Sequence, residues 1–163
     1  MTRFGTGYDS HLFADGRRLV LGGVEIPFAR GLAGHSDADV LIHAVCDALL
    51  GAAAEGDIGR HFPDIDPLWE DADSVVLLGK VADLLRHKGW EIGNTDATII
   101  AEAPKLMPHI PAMRSRLAAA MGIDVSRVSV KAKTNEGMDA AGRGEGIMAM
   151  AVAAVYAKGK TSE

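Results

Sequence analysis

The chain must bury one alanine-rich segment that is apolar on nearly all sides of a helix. This segment, VLIHAVCDALLGAAA, directly follows the polar stretch HSDAD. A helix with so little polar surface belongs in the interior of a protein. We therefore predict a buried helix from Asp37 to about Ala54, with Ser36 as its N-cap and Asp39 completing a capping box.

The segments around this helix alternate between strand and helix patterns. TRFGTGYD predicts a glycine-rich strand over residues 2–9, and LVLGGVEIP predicts a hairpin that turns at Gly22 and Gly23. SVVLLGKVADLLRHK and PAMRSRLAAAMG predict helices, whereas DATIIAEA, SRVSVKAKT and IMAMAVAAVYA predict strands. This order predicts an α+β, or mixed α/β, fold in which residues 1–163 form a single domain with helices on one face of one sheet.

The last predicted strand has a flat face made of small residues, Ala149, Ala151 and Ala153. Such a face suits close packing, and two partners fit it equally well. One is a neighbouring subunit, and the other is a helix of the same chain. The sequence leaves both open.

Composition excludes several classes of protein. No apolar run approaches the roughly 20 residues that span a bilayer, and MTRFGTGYDSH lacks the apolar core of a secretory signal. The lone Cys46 has no internal disulfide partner, which fits a reducing compartment and predicts a cytoplasmic protein. The net charge of -5, with scattered lysines and arginines, argues against a nucleic-acid binder.

Three residues have the spacing of a metal site. Asp9 and His11 lie two positions apart, so on a strand they share one face. His43 lies in the apolar helix, where its ring nitrogens need a partner. Three such ligands with an open fourth position are typical of catalytic zinc. On spacing alone, a hydrogen-bonded core histidine is the more common interpretation of a residue such as His43.

Two other polar segments have both a purely structural and a functional interpretation. HSDAD either simply caps the helix or uses His35 and Ser36 to bind phosphate at the helix N-terminus. KAKTNEG is either a solvated strand end or a cationic edge. If its strand continues, Lys131 and Lys133 share one face, and Thr134 and Glu136 share the other.

Taken together, the motifs resemble one known family. They are GYDSH, HSDADVLIHAVCDALLGAAAEGDIG, FPDIDP, DATIIAEAPKLMPHIPAMR, KAKTNEG and GRGEGI, in that order. This set resembles the 2-C-methyl-D-erythritol 2,4-cyclodiphosphate synthase family over Thr2 to about Lys158. The resemblance implies an enzyme of the non-mevalonate isoprenoid pathway. Its reaction would convert 4-diphosphocytidyl-2-C-methyl-D-erythritol 2-phosphate into the 2,4-cyclodiphosphate with release of CMP.

The resemblance also implies cofactors and an assembly. Asp9, His11 and His43 match the family's metal ligands, for which zinc is the usual occupant. A second cation, Mg²⁺ or Mn²⁺, would be held by the substrate diphosphate and Glu136. The family forms a homotrimer with active sites between subunits, and it binds neither nucleic acid nor membrane.

Substrate contacts are implied residue by residue. His35 and Thr134 are the expected catalytic hydrogen-bond donors to the phosphates. The expected substrate-binding positions are Asp9, Ser10, His11, His35, Ser36, Asp57, Ile58, Gly59, Phe62, Pro63, Asp64, Ile65, Asp66, Ala101, Glu102, Ala103, Pro104, Lys105, Leu106, Met107, Lys133, Thr134, Asn135, Glu136, Ala140 and Arg143.

Three positions depart from the usual family pattern. Ser10 stands where valine is common, but its side chain should face away from the metal. Lys133 replaces a frequent threonine and would add a cation beside the diphosphate. Ala140 replaces an aromatic residue that often lines a cavity on the trimer axis, which puts an apolar regulator there in doubt.

Two alternative functions belong to different classes. A zinc hydrolase would use the open metal position to activate water, with Asp57 or Asp39 as general base. A non-enzymatic trimeric binding module would use a fully protein-ligated metal for structure alone.

Overall fold

The computed structural model describes residues 1–63 and 65–159. The strands are β1 (Thr2–Ala14), β2 (Leu19–Leu21), β3 (Val24–Ile26), β4 (Gly31–Leu32), β5 (Trp90–Ile100), β6 (Val128–Lys133) and β7 (Gly146–Ala157). The α-helices are α1 (Val40–Ala53), α2 (Ile58–His61), α3 (Ser74–His87), α4 (Ile110–Met121) and α5 (Asp139–Gly142), and 3-10 turns cover Pro67–Trp69, Met107–His109 and Val125–Arg127.

Five of the described strands form one mixed sheet in the order β4-β1-β7-β5-β6. Its neighbours are antiparallel except for β5 and β6, which are parallel. The predicted hairpin is confirmed, because Leu21 pairs with Val24 and both intervening glycines have positive φ. The predicted α+β fold with one main sheet and helices is confirmed, and the hairpin adds a separate two-stranded sheet to it.

Helix α1 is buried against the sheet, as its apolar sequence predicted. A Cβ atom on Gly5 would lie 2.1 Å from the carbonyl oxygen of Ala48, and one on Gly7 would lie 1.9 Å from that of Ala44. The glycines of β1 therefore let the helix backbone approach the strand. Beside them, the flat alanine face of β7 is buried and contacts the same helix. Of the two partners considered for that face, the helix of the same chain is the right one.

The start of α1 differs from the prediction. The helix begins at Val40 and its N-cap is Asp39, whose carboxylate accepts a hydrogen bond from the Ile42 amide at 3.1 Å. Ser36 instead accepts from the Ala38 amide at 3.2 Å, in a local turn where Ala38 has a φ of 56°. A residue with positive φ cannot continue a right-handed helix, so the helix starts after it.

Asp39 also ties the hairpin to α1. Its two carboxylate oxygens accept hydrogen bonds from the Gly22 amide at 2.9 Å and from the Gly23 amide at 2.7 Å. Burial raises the pKa of Asp39 to about 6, against the effect of these hydrogen bonds. One buried side chain thus satisfies three backbone donors from two elements.

We expect Asp39→Ala to lower the free energy of unfolding by about 3 kcal/mol, because it leaves buried amides of two elements unsatisfied. Urea denaturation would measure the loss. Asp124→Ala is the matched control, since Asp124 caps the exposed Val125–Arg127 turn through the Ser126 amide and should cost less. Equal losses in the two variants would contradict the prediction.

The sheet face opposite α1 carries exposed apolar side chains on two neighbouring strands. We call this strip the open face; it consists of Phe4, Tyr8 and Leu12 on β1 and Met150, Val152 and Tyr156 on β7. Their exposed fractions range from 39% for Tyr156 to 71% for Phe4. Contiguous exposed apolar strips of this kind mark interaction surfaces. Separately, the described helices include none with the length and hydropathy that a bilayer crossing needs.

Candidate active site

Asp9, His11 and His43 converge between β1 and α1. The alternation of side chains along β1 turns Asp9 and His11 toward α1, and His43 lies in the first turn of α1. Asp9 Oδ2 lies 2.9 Å from both His11 Nε2 and His43 Nδ1. The two nitrogens are 3.4 Å apart. Among the described residues, these three form the one cluster of His, Cys, Asp or Glu whose ligand atoms converge closely enough for a metal ion.

The spacing of these atoms fits a tetrahedral metal. Zinc bonds to nitrogen or oxygen of about 2.0–2.1 Å place neighbouring ligand atoms about 3.3 Å apart. The observed separations of 2.9 and 3.4 Å bracket that value. One carboxylate and two imidazoles suit zinc, and also manganese or cobalt. Three protein ligands leave a fourth position for a substrate atom, as in catalytic sites.

The pKa shifts of Asp9 and His43 also indicate a site that suits a cation. Burial alone would raise the pKa of Asp9, but hydrogen bonds and positive charge from His11 and His43 hold it well below its ordinary value. Burial alone would lower the pKa of His43, but the hydrogen bond and negative charge of Asp9 raise it. The site therefore stabilises positive charge beside an ionised carboxylate, which is the condition a bound cation requires.

A cleft opens beside the cluster. His35, Ser36, Ile58, Gly59 and Phe62, which the sequence predicted to contact substrate, line it together with His43. Trp69 and Leu77 also line it, and sequence analysis did not predict them. Within the described residues, the buried Nε2 of His35 has no hydrogen-bond partner. This nitrogen is therefore an unsatisfied polar atom in a residue that lines the cleft.

The N-cap of α2 and the loop after that helix contain the other residues predicted to contact substrate on this side. Asp57 caps α2 by accepting from the Arg60 amide at 3.0 Å, and Asp66 accepts from the Leu68 amide at 3.0 Å. Ile65 is exposed, and Pro63 is half-buried. Asp64, which was also predicted to bind substrate, lies outside the described residues.

A second cleft, of about 510 Å³, lies where β5 and β6 end. This volume is in the range of small-molecule sites. Its lining includes Ala101, Glu102, Pro104, Lys105, Leu106, Met107, Lys133 and Thr134. Ala103 is exposed between two of these residues. The structure thus gathers the segment predicted to bind cytidine and the end of KAKTNEG around one cleft.

The chain turns sharply after β6, so the strand does not continue and the alternation of Thr134 and Glu136 that a continuing strand would give is not formed. The strand ends at Lys133, and Glu136 has a φ of 52°. Glu102 Oε1 holds this turn by accepting from the Asn135 amide at 2.9 Å. Thr134 donates its hydroxyl to Glu136 Oε1 at 2.7 Å. A hydroxyl and a carboxylate therefore lie together at the mouth of the second cleft.

Three further predicted residues lie near the start of β7. Ser10 and Ala140 line a small pocket with His11. Arg143 is exposed, and its Nε donates to Glu145 Oε1 at 2.6 Å. The Arg143 guanidinium lowers the pKa of Glu145. The described structure shows no direct hydrogen bond between this group and the metal cluster.

The two clefts do not meet within one chain. One cross-strand row contains Ser10, Met148, Ile100 and Lys133. Because neighbouring strands are about 4.8 Å apart, this row spans about 14 Å. The cleft beside the metal cluster and the second cleft share no lining residue. The residues that the sequence predicted to bind substrate therefore lie in separate clefts of the chain.

Comparisons with known proteins identify similar chains of one family. A model of the YgbB family matches residues 2–156. The chain is 59% identical over 150 residues to a protein of Thiobacillus denitrificans named 2-C-methyl-D-erythritol 2,4-cyclodiphosphate synthase, covering 92% of this chain and 94% of that one. A protein of the same name from Pelobacter propionicus is 57% identical over 157 residues, covering 96% and 99%.

Solved structures give the same picture. The bifunctional IspDF from Campylobacter jejuni aligns with a TM-score of 0.93 at 39% identity, over 96% of this chain and 42% of that longer chain. The CDP complex of IspF from Plasmodium falciparum aligns with a TM-score of 0.84 at 32% identity, over 97% of both chains.

Proposed function

Because this chain belongs to the YgbB family, as the resemblance of its motifs predicted, we infer that it is a 2-C-methyl-D-erythritol 2,4-cyclodiphosphate synthase. It converts 4-diphosphocytidyl-2-C-methyl-D-erythritol 2-phosphate into the cyclic diphosphate and CMP. The observation that carries this conclusion is the near full-length identity to synthases in a chain that also assembles the Asp9, His11 and His43 cluster. The match over residues 2–156 supports treating residues 1–163 as one synthase domain.

The reaction is an intramolecular phosphoryl transfer, which makes the enzyme a phosphorus-oxygen lyase. An oxygen of the substrate 2-phosphate attacks the β-phosphorus, and the bond from that phosphorus to the CMP oxygen breaks. No atom of the protein needs to form a covalent bond to the substrate. Positioning and charge neutralisation then supply most of the catalysis.

Two cations complete the site. Asp9, His11 and His43 would hold Zn²⁺, and Glu136 with the substrate diphosphate would hold Mg²⁺ or Mn²⁺. When bound, such cations neutralise phosphate charge and act as Lewis acids. The protein's share is to fix the ligands: β1 holds Asp9 and His11 rigidly, and α1 holds His43.

His35 and Thr134 are assigned as the donors to the reacting phosphates. His35 Nε2 is buried without a partner in the described structure, so a phosphate oxygen would satisfy it. Thr134 now donates to Glu136, and its hydroxyl would turn to phosphate once that carboxylate binds a cation. Hydrogen bonds from such donors become stronger as negative charge develops on the transferred phosphoryl group.

The remaining contacts divide between the two clefts. The cleft beside the metal cluster would take the methylerythritol phosphate, using Ser36, Asp57, Ile58, Gly59, Phe62, Pro63, Ile65 and Asp66. Ser10, which lines the separate small pocket, and Asp64, which lies outside the described residues, remain predicted contacts of the same group. The second cleft would take cytidine and its phosphates, using Ala101, Glu102, Ala103, Pro104, Lys105, Leu106, Met107, Lys133, Thr134 and Asn135. Ala140, which lines the small pocket with His11, and Arg143, which pairs with Glu145, remain predicted contacts. Lys105, Lys133 and Arg143 supply local positive charge in a chain of net charge -5.

A homotrimer with sites between subunits fits the separation of the two clefts. One chain holds the metal cluster and the second cleft about 14 Å of sheet apart, which supports a site built from the metal cluster of one copy and the second cleft of another. The apolar open face supplies a surface for the association. We assign the trimer to the cytoplasm, where the unpaired Cys46 remains reduced.

The hydrolase alternative has no support among these relatives, which are named as synthases. Asp39 cannot serve as its base, because this residue is buried and already accepts three backbone hydrogen bonds. Phosphorus NMR of the protein with the cytidine-linked substrate, zinc and magnesium tests the assignment. Two mutually coupled signals appearing together with CMP are expected. A linear phosphorylated product would instead indicate hydrolysis.

We expect Glu136→Gln to raise the magnesium concentration for half-maximal activity by about tenfold while bound zinc is unchanged, because an amide binds a hard cation more weakly than a carboxylate. Magnesium titration of initial rates and metal analysis measure the two effects. Glu25→Gln is the control, since Glu25 is an exposed partner of Arg18. Loss of zinc in Glu136→Gln would contradict the assignment of Glu136 to the magnesium site and not to the zinc site.

A further inference from the structure

The second ring nitrogen of His43 has its own buried partner. His43 Nε2 lies 3.0 Å from Ser74 Oγ, at the first residue of α3. Ser74 is fully buried and far from His43 in sequence. Ser36 Oγ also lies near this nitrogen, at 3.1 Å. None of the sequence motifs pointed to Ser74.

The hydroxyl proton of Ser74 is committed elsewhere. Ser74 Oγ donates a short hydrogen bond to Asp37 Oδ1, and the Ser74 amide donates to Asp37 Oδ2 at 3.0 Å. An ionised carboxylate only accepts hydrogen bonds, so the hydroxyl proton must point to Asp37. The Ser74 oxygen therefore faces His43 with lone pairs alone, and it can only accept a proton from Nε2.

We propose that Asp37 and Ser74 are positioning residues for the metal centre, acting on His43 as a carboxylate–hydroxyl–imidazole chain. The chain keeps a hydrogen on Nε2 and so directs the lone pair of Nδ1 toward Asp9 and His11. Metal-binding histidines commonly have the other nitrogen fixed by a carboxylate or carbonyl acceptor. Here a serine links the carboxylate to the ring. The inference rests on the proposed metal site and deepens it.

The neighbouring hydroxyl of Ser36 does not have this role. Ser36 Oγ accepts from the Ala38 amide at 3.2 Å, and no described carboxylate takes its proton. That hydroxyl is therefore free to rotate toward a ligand in the cleft that it lines. The structure thus separates a substrate-facing hydroxyl from one reserved for the histidine.

The Ser74 hydroxyl is also not needed to start α3. Asp73 caps that helix by accepting from the Val75 amide at 2.8 Å. The Asp37 amide separately donates to the Ala72 carbonyl at 3.2 Å, which joins the two loops without the hydroxyl. Removing the hydroxyl should therefore act on His43 more than on the fold.

The test measures zinc affinity by chelator competition and the rise in melting temperature on adding zinc, neither of which requires turnover. Ser74→Ala should lower zinc affinity by about 10- to 100-fold, and zinc should raise the melting temperature of this variant by less than that of the wild type. Ser74→Thr, which keeps the hydroxyl, should remain near the wild-type affinity. Asp73→Ala is the matched control: it removes an exposed cap at the adjacent residue and should weaken the metal-free fold while leaving zinc affinity unchanged.

A second variant tests the direction of the hydrogen bonds. The amide of Asp37→Asn can donate to Ser74 Oγ, which turns the serine proton toward Nε2 and favours the tautomer protonated on Nδ1. Zinc affinity should therefore fall at least as far as in Ser74→Ala, and the visible spectrum of the cobalt-substituted protein should change in both.

Distinct outcomes separate the two proposals. Wild-type protein that binds no zinc overturns the metal site and this inference with it. Wild-type protein that binds zinc, with Ser74→Ala and Asp37→Asn binding it equally well, overturns the positioning role alone. Equal loss of affinity in Asp73→Ala would assign the effect to the fold and also overturn it.

Discussion

Substitution of His43 by alanine is expected to remove bound zinc and turnover together, with kcat/KM falling by at least about 10³-fold. The variant keeps only the two donors from β1, and these cannot close a three-ligand site. Metal analysis after dialysis and steady-state release of CMP measure the two losses. Both should appear without loss of helical circular dichroism, since alanine suits the interior of α1.

His87→Ala is the control for this experiment. His87 is an exposed histidine at the end of α3, where its ring bonds only to the Asp83 carbonyl at 2.7 Å. Zinc content and activity should both remain at the wild-type level. Full activity in His43→Ala would remove the metal-site assignment, and zinc loss with retained activity would separate the metal from the reaction.

Local patterns in the sequence were enough to predict most elements and the shared face of Asp9 and His11, whereas the addition of His43 to the metal cluster came from the family resemblance. The side-chain period of a strand places Asp9 and His11 on one face whatever the sheet topology. The hairpin at Gly22 and Gly23 follows from turn chemistry that depends on neighbouring residues alone. These predictions hold because each depends on only a few consecutive residues.

The start of α1 could not be predicted in this way. Ser36 and Asp39 have the spacing of a capping box, yet Asp39 takes the cap because it also binds the amides of a distant hairpin. The role of Ser74 is equally long-range, since 37 positions separate it from Asp37. Such choices depend on tertiary contacts, which override local preference.

The apolar residues of the open face are also visible in the sequence of β7, but the sequence analysis considered only the alanines that alternate with them. Along β7, buried alanines alternate with exposed Met150, Val152 and Tyr156. The alanine face explains the packing of α1 and requires no second copy. The alternate face is as apolar, although no described element buries it. A strand that is apolar on both faces fits a sheet with a helix on one side and another protein surface on the other.

We expect Met150→Asp to convert the proposed trimer of 17.1 kDa chains into monomers and to lower turnover by at least about 100-fold. Met150 lies in the middle of the open face with 54% of its surface exposed, so aspartate is tolerated in a free protomer. In an assembly, the same carboxylate would be buried against apolar side chains, which costs several kcal/mol in each copy. Sedimentation velocity measures the mass, and CMP release measures turnover.

Zinc binding makes this experiment diagnostic. Asp9, His11 and His43 belong to one chain, so the monomeric variant should still bind one zinc ion while it loses activity. Val76→Asp is the control, because Val76 is equally exposed but lies on α3, away from the open face. It should remain trimeric and active. A Met150→Asp monomer with full turnover would show that one chain holds a complete site, whereas an intact trimer would show that association uses another surface.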